Sequence, residues 1–166
     1  MIAALLRAQL EIDVLQLDLL LRLSLSVVLG AAIGLEREYT GKDAGLRTTI
    51  LICMGATLFT ELSHALAGPG ADNTRVAAQI VTGIGFLGAG AILRHGGQIR
   101  GLTTAATIWV VAAIGMAVGG RQYIAAVGST VLVLIVLVPL RWWEKRVEDR
   151  VRKAETERRF GTPPRD

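Results

Sequence analysis

A single cysteine, Cys53, excludes an internal disulfide framework and any multi-cysteine metal cage. Charge is scarce as well. Charged residues make up 19% of the 166 positions, against about a quarter in a soluble domain. Aromatic residues amount to 5%, too few to fill a core with rings. Two histidines, one cysteine and scattered serines offer no nucleophile with a paired base, and no P-loop is present. Enzymatic chemistry is therefore not expected. What the chain does hold is apolar: 52% hydrophobic residues and nineteen glycines, with a mean hydropathy of +0.49. Such hydrophobicity excludes disorder and argues against a cytosolic globule. The chain belongs in a membrane.

A helix crossing the hydrocarbon core needs roughly 20 mostly apolar residues. Five stretches qualify: Leu17 to Leu35, Leu46 to Ala67, Val76 to Leu93, Thr103 to Val118 and Tyr123 to Leu140. The links between them are short and polar, and open strands are excluded within lipid because it cannot satisfy their backbone groups. The expected fold is an all-α integral membrane bundle of five transmembrane helices at 17–140. Residues 1–16 precede it as an interfacial helix or as an extension of the first span, and a basic tail follows at 141–166. Lys and Arg fall unevenly between the two sides, fourteen against three, with Arg22 inside a span. The rich side holds the first and third links and the tail, so the N-terminus is expected outside and the C-terminus in the cytoplasm. Trp142 and Trp143 fit an interfacial belt at the end of the fifth span.

The run Gly83 to Gly88 matches the GxGxxG pattern of dinucleotide sites. It lies inside an apolar span, without the strand and acidic residue that the site needs. Packing is the better explanation: Gly83, Gly85, Gly88 and Gly90, and the GxxxG pairs Gly30/Gly34 and Gly115/Gly119, let helices approach closely. Glycine-rich faces of this kind also suit self-association, with a homodimer as the expected form.

Polar residues inside spans are costly in hydrocarbon and therefore informative. Arg22 and Glu61 should both sit in the outer third of the membrane, where pairing removes two isolated charges. His64 is one turn beyond Glu61, and Gln79 falls at a similar depth, with Asp72 and Arg75 just above it. Arg22, Glu61, His64, Asp72, Arg75 and Gln79 thus outline an outward-facing polar cluster. It is either an ion pair that sets helix register or a functional site, such as the path of a small cation transporter or channel. Glu61 and Asp72 are the oxygen ligands a divalent cation would use, and the residues leave a metal site undecided.

On the cytoplasmic side Glu36 and Arg37 close span one, Arg47 and Thr48 open span two, and Arg100, Thr103 and Thr104 open span four. A threonine beside the first free amides of a helix is a normal cap. The same amides with nearby arginines suit a lipid phosphate or another anion. The tail from Arg141 to Phe160 reads as a charged helix with Glu148 and Arg152 as an i, i+4 pair, and the segment 161–166 reads as unstructured. Its basic clusters beside a span suit anionic headgroups better than nucleic acid, which is not an expected partner.

The strings GAAIGLERE, AGLRT, RVAAQIVTGIGFLGAGAIL and RGLTTAATIWVVAAIGMAVG resemble the MgtC/SapB family of bacterial inner-membrane proteins. The resemblance covers about Leu20 to Val138. It implies a five-helix membrane domain, a link to magnesium limitation and acid stress, and in some members survival inside macrophages. It also implies action as a regulator of other membrane machines, such as an ATP synthase or a cation pump, with magnesium as a conceivable ligand or substrate and no cofactor. The family motif positions here are Glu36, Arg37, Gly45, Leu46, Arg47, Thr48, Asp72, Arg75, Gln79, the Gly83 to Gly90 run, Thr103, Thr104 and Trp109. Longer members carry a soluble C-terminal domain where this chain has a short charged tail after Pro139, so regulation through that domain is expected to be absent. Members tied to virulence tend to have Asn in place of Thr103 and Cys in place of Val110, so the resemblance does not carry a virulence role over to this chain.

Overall fold

A computed structural model describes residues 2–67, 72, 74–95 and 98–160. The expected unstructured end at 161–166 lies outside these, as do the side chains of 2–14 and of the Glu148–Arg152 pair. The described residues form five helices and one small hairpin: α1 (Ile2–Tyr39), α2 (Leu46–Leu66), α3 (Thr74–Gly90), β1 (Leu93–His95), β2 (Gln98–Arg100), α4 (Leu102–Gly119) and α5 (Tyr123–Phe160). Three stretches are long and apolar enough to cross a membrane: Leu15–Tyr39, Leu46–Leu66 and Leu102–Gly119. Tyr123–Pro139 is a shorter apolar stretch. The fold is therefore the expected all-helical membrane bundle of five helices.

Several boundaries differ from expectation, each for a local reason. α1 runs unbroken from Ile2 to Tyr39, so residues 2–16 and the first span form one helix. α3 ends at Gly90 and not Leu93, because the chain turns at Ala91 into an antiparallel hairpin that pairs Leu93 with Arg100 and His95 with Gln98. The two strands lie in the polar link, where the objection to open edges in lipid does not apply. The hairpin returns tightly onto the end of α3. Gly101 sits in the left-handed region at φ 87°, and a Cβ there would run into the Ala91 carbonyl. α5 continues through Pro139 to Phe160, although proline gives up one backbone hydrogen bond inside a helix. Beyond it, the Arg146 guanidinium lies 3.3 Å from the centroid of the Trp142 ring, one turn away along the helix.

The core is built around α2, which α1 and α4 grip from two sides. Leu29 and Ile33 of α1, Cys53 of α2 and Val111, Ile114 and Val118 of α4 form its buried centre, with Ala126 of α5 at the edge. Glycine makes this grip possible. A Cβ on Gly34 would run into the Thr49 hydroxyl and lie 2.7 Å from the Leu46 Cα, while one on Gly30 would lie 2.9 Å from the Thr49 carbonyl. On the other side, a Cβ on Gly115 would run into the Cys53 carbonyl, and one on Gly119 would lie 2.7 Å from the Thr57 carbonyl. The two GxxxG pairs thus pack α1 and α4 onto the same helix, as their spacing predicts. Thr57 adds a polar stitch: its hydroxyl is 2.9 Å from the Cys53 carbonyl of its own helix and 2.8 Å from the Gly115 carbonyl of α4.

The glycines of α3 behave differently, which corrects the packing expectation. A Cβ on Gly83, Gly85 or Gly90 would meet nothing within 4 Å, and one on Gly88 would reach only Ala105, at 3.8 Å. α3 rests on α4 and touches α2 sparsely. Glycine spacing makes close approach possible without requiring that a neighbour arrive. Gly115→Ala should therefore cost about 1–3 kcal/mol through overpacking, whereas Gly83→Ala should be neutral or stabilise by up to about 1 kcal/mol. Melting of the two variants in detergent micelles, beside the parent, tests the contrast.

Candidate functional site

Among the described residues two charged side chains are buried, Arg22 and Arg37, toward opposite ends of the apolar stretch Leu15–Tyr39 of α1. At the end where α2 finishes, the Arg22 guanidinium is 3% exposed and makes a close ion pair with Glu61 of α2. It also donates to the Asp18 carboxylate at 2.6 Å and reaches the Gly119 carbonyl of α4 at 3.5 Å. Asp18 in turn meets Arg121 at 3.3 Å, in the link between α4 and α5. One arginine therefore joins α1, α2 and α4 through two carboxylates and a carbonyl. The expected pairing of Arg22 with Glu61 is present.

Asp18 and Arg121 were missed. Asp18 was legible, because it stands four residues before Arg22 on the same helix face. Arg121 was not: it holds the left-handed region at φ 60°, where a non-glycine residue is uncommon, and nothing in the local sequence marks it.

The rest of the expected cluster lies elsewhere. Asp72, Arg75 and Gln79 line a cleft of about 530 Å³ between α2 and α3 together with Phe59 and Leu62, separate from the Arg22–Glu61 pair. His64 is exposed on the last turn of α2. Asp72 sits just before α3 and accepts from the Thr74 amide at 2.8 Å and the Thr74 hydroxyl at 2.6 Å. These two hydrogen bonds, with Arg75 nearby, hold its carboxyl below the ordinary carboxylate value. Glu61 thus faces Arg22 and Asp72 faces Thr74, so the two carboxylates do not converge as a cation site. Among the described residues, no group of three or more His, Cys, Asp and Glu is arranged to hold a metal ion.

At the other end of α1, Arg37 is 2% exposed and donates to the Thr104 hydroxyl of α4 at 2.7 Å. Glu36 beside it is half-buried. Neighbouring Glu38 accepts from the Leu46 amide at 3.1 Å, and so satisfies one of the free donors that open α2. Threonine capping is not what happens here. The N-cap positions are Gly45 and Gly101, and neither makes a side-chain cap bond. Thr48, Thr103 and Thr104 already lie inside their helices, past the position from which a hydroxyl caps. Arg47, Thr48, Arg100 and Thr103 are exposed, so the motif divides into a buried clamp, Arg37 with Thr104, and a solvent-facing basic rim.

Buried charge paired between apolar helices, three of them long enough to cross a bilayer, defines a multi-pass helical membrane protein. The MgtC family profile matches residues 23–146, and the chain belongs to that family. Among curated proteins, the chain is 47% identical over 127 residues to the putative magnesium transporter YhiD of Escherichia coli (strain K12), covering 72% of this chain and 59% of that one. It is 43% identical over 141 residues to the protein MgtC of Salmonella typhimurium (strain LT2), covering 85% and 60% respectively. An uncharacterized protein of Synechocystis is 44% identical over 122 residues. The chain thus spans roughly 60% of the length of the first two relatives. No solved structure matches it.

Two outcomes are expected. Arg22→Met or Glu61→Leu alone leaves a charge without its partner and should cost about 3 kcal/mol or more, while the double substitution should cost clearly less than the sum of the two; melting in micelles measures the coupling. Asp72 has a depressed carboxyl, so its support of the start of α3 is fully present above the ordinary carboxylate value and is lost as pH falls through its own lower value. Protection of the Thr74 amide, measured against its intrinsic exchange rate at each pH, should therefore fall on acidification, and Asp72→Asn should remove that pH dependence.

Proposed function

We propose that the chain is a bacterial inner-membrane protein of magnesium homeostasis, serving adaptation to low magnesium or acid. In this reading it acts without catalysis, by binding another membrane protein. Membership of the MgtC family and a relative named for magnesium support the physiological part. The single observation behind the binding part is the outward face of α3. Ala78, Thr82, Gly85, Phe86 and Ala89 are all exposed along it, with Phe86 81% exposed and open space over Gly85. In a bundle whose other glycine pairs are filled by neighbouring helices, this stripe has the small-residue form that a partner helix packs against. The N-terminus is placed outside and the C-terminus inside, on the distribution of Lys and Arg.

A strain without the protein should grow poorly at limiting magnesium and recover with the parent chain. Gly85→Leu with Ala89→Leu should abolish recovery at an unchanged membrane level. A photo-crosslinker at Phe86 should capture a different membrane protein. Capture of a second copy alone would make this face a homodimer seam, and unaffected growth of the deletion strain would remove the physiological reading.

A second reading, a magnesium path through the bundle, is favoured by the name of the Escherichia coli relative and by the carboxylate of Glu61 within a span. Liposomes holding the purified protein, with magnesium outside and an indicator dye inside, separate the two. Flux above empty liposomes that disappears in Glu61→Gln would establish transport; no flux leaves the binding reading in place.

A further inference from the structure

The cleft between α2 and α3 continues beyond its polar mouth. A second hollow of about 500 Å³ lies deeper between the same helices and shares Phe59, Val76 and Gln79 with the first. Each volume falls within the roughly 300–1,000 Å³ of small-ligand sites. The mouth holds Arg75, Asp72 and Gln79. The deeper part is lined by apolar side chains, among them Leu51, Ile80, Ile84 and Leu87. Two glycines, Gly55 and Gly83, line this deeper part, and a Cβ on either would meet nothing within 4 Å. The hollow is therefore present because side chains are missing from both walls.

We propose that this cleft holds one acyl chain of a phospholipid, with the phosphate against Arg75 and an ammonium headgroup beside Asp72. Length selects this occupant. Arg75 to Leu87 is twelve residues of helix, about 18 Å, close to a single leaflet, about half of a ~30 Å hydrocarbon core. A partner helix would have to cross the whole core and is itself about 10 Å wide. The polar-to-apolar order along the cleft is that of one lipid leaflet read from headgroup to tail. Charge agrees as well. Among the described residues, Arg75 has no carboxylate in ion-pair contact, and the hydrogen bonds from Thr74 engage Asp72 through Oδ1. A positive and a negative group side by side match a phosphate next to an ammonium better than a purely anionic headgroup. The site lies on the α2 side of α3, away from the outward stripe, and does not depend on the partner proposed above.

The full chain is reconstituted in nanodiscs of mixed phosphatidylethanolamine and phosphatidylglycerol, transferred to detergent, and its retained lipid counted by native mass spectrometry. One phosphatidylethanolamine per chain is expected, enriched over its share of the bilayer. Gly83→Leu or Gly55→Leu should fill the cleft and displace it while the melting temperature holds, since neither new side chain meets an obstacle at its Cβ. Arg75→Ala should weaken retention about tenfold, the loss of one charge-assisted contact, and Arg75→Lys should restore part of it. Unchanged retention in a folded Gly83→Leu variant would overturn the site. Retention of phosphatidylglycerol alone would overturn the headgroup assignment, and absence of any bound lipid in the parent would overturn both.

Discussion

A guanidinium buried among apolar helices is the constraint around which this bundle is arranged. Arg22 cannot leave the interior without dragging α1 with it, and a charge at membrane depth costs about 3 kcal/mol even on the mildest scales. It is satisfied by Glu61 from α2, Asp18 from its own helix and the Gly119 carbonyl of α4. Those three contacts set the rotation of three helices at once. Fifteen residues further along α1, about 22 Å, Arg37 makes the equivalent tie to Thr104. The apolar stretch of α1, Leu15–Tyr39, is thus held toward each end by a buried arginine, and sliding or turning it would strand a charge.

Between these ties the helices come close because side chains are missing. Gly30 and Gly34 on one side and Gly115 and Gly119 on the other bring two backbones onto α2. At that separation the Thr57 hydroxyl can reach a carbonyl of the neighbouring helix. In lipid, where tails are as apolar as leucine, contact and hydrogen bonding supply the association that water supplies to soluble cores. The three helices that are long and apolar enough to span are the three so joined. α3 and α5 are added around them.

Much of this was legible in the sequence. Five helices follow from five apolar runs, and the Arg22–Glu61 pair follows from the cost of either charge alone. Both GxxxG contacts follow from spacing. What could not be read is which face finds a neighbour: Gly85 and Ala89 have the same small-residue spacing as Gly115 and Gly119, yet only the latter pair is filled. Depth also misled, since Gln79 was expected at the level of Glu61 with Asp72 and Arg75 just above it, and all three line a different cleft. The hairpin had a signal that was passed over. Gly96–Gly97 between two short runs is a turn signature, and Gly101 supplies the left-handed residue that lets the chain re-enter a helix.

The contrast between a clamped centre and a lightly held α3 bears on how such a protein can act. A helix packed on both sides and tied by buried charge offers little that another molecule can use. α3 has an outer stripe of small residues and an inner cleft, and its start is secured by an exposed carboxylate and a threonine. Its packing, on α4 and sparsely on α2, is looser than that of the clamped centre. A molecule filling the cleft would press on the inner side of the helix whose outer side is free for a partner. On the two readings proposed above, a lipid in the cleft and a partner on the stripe would meet the same helix, while the Arg22 and Arg37 ties hold α1, α2 and α4 together.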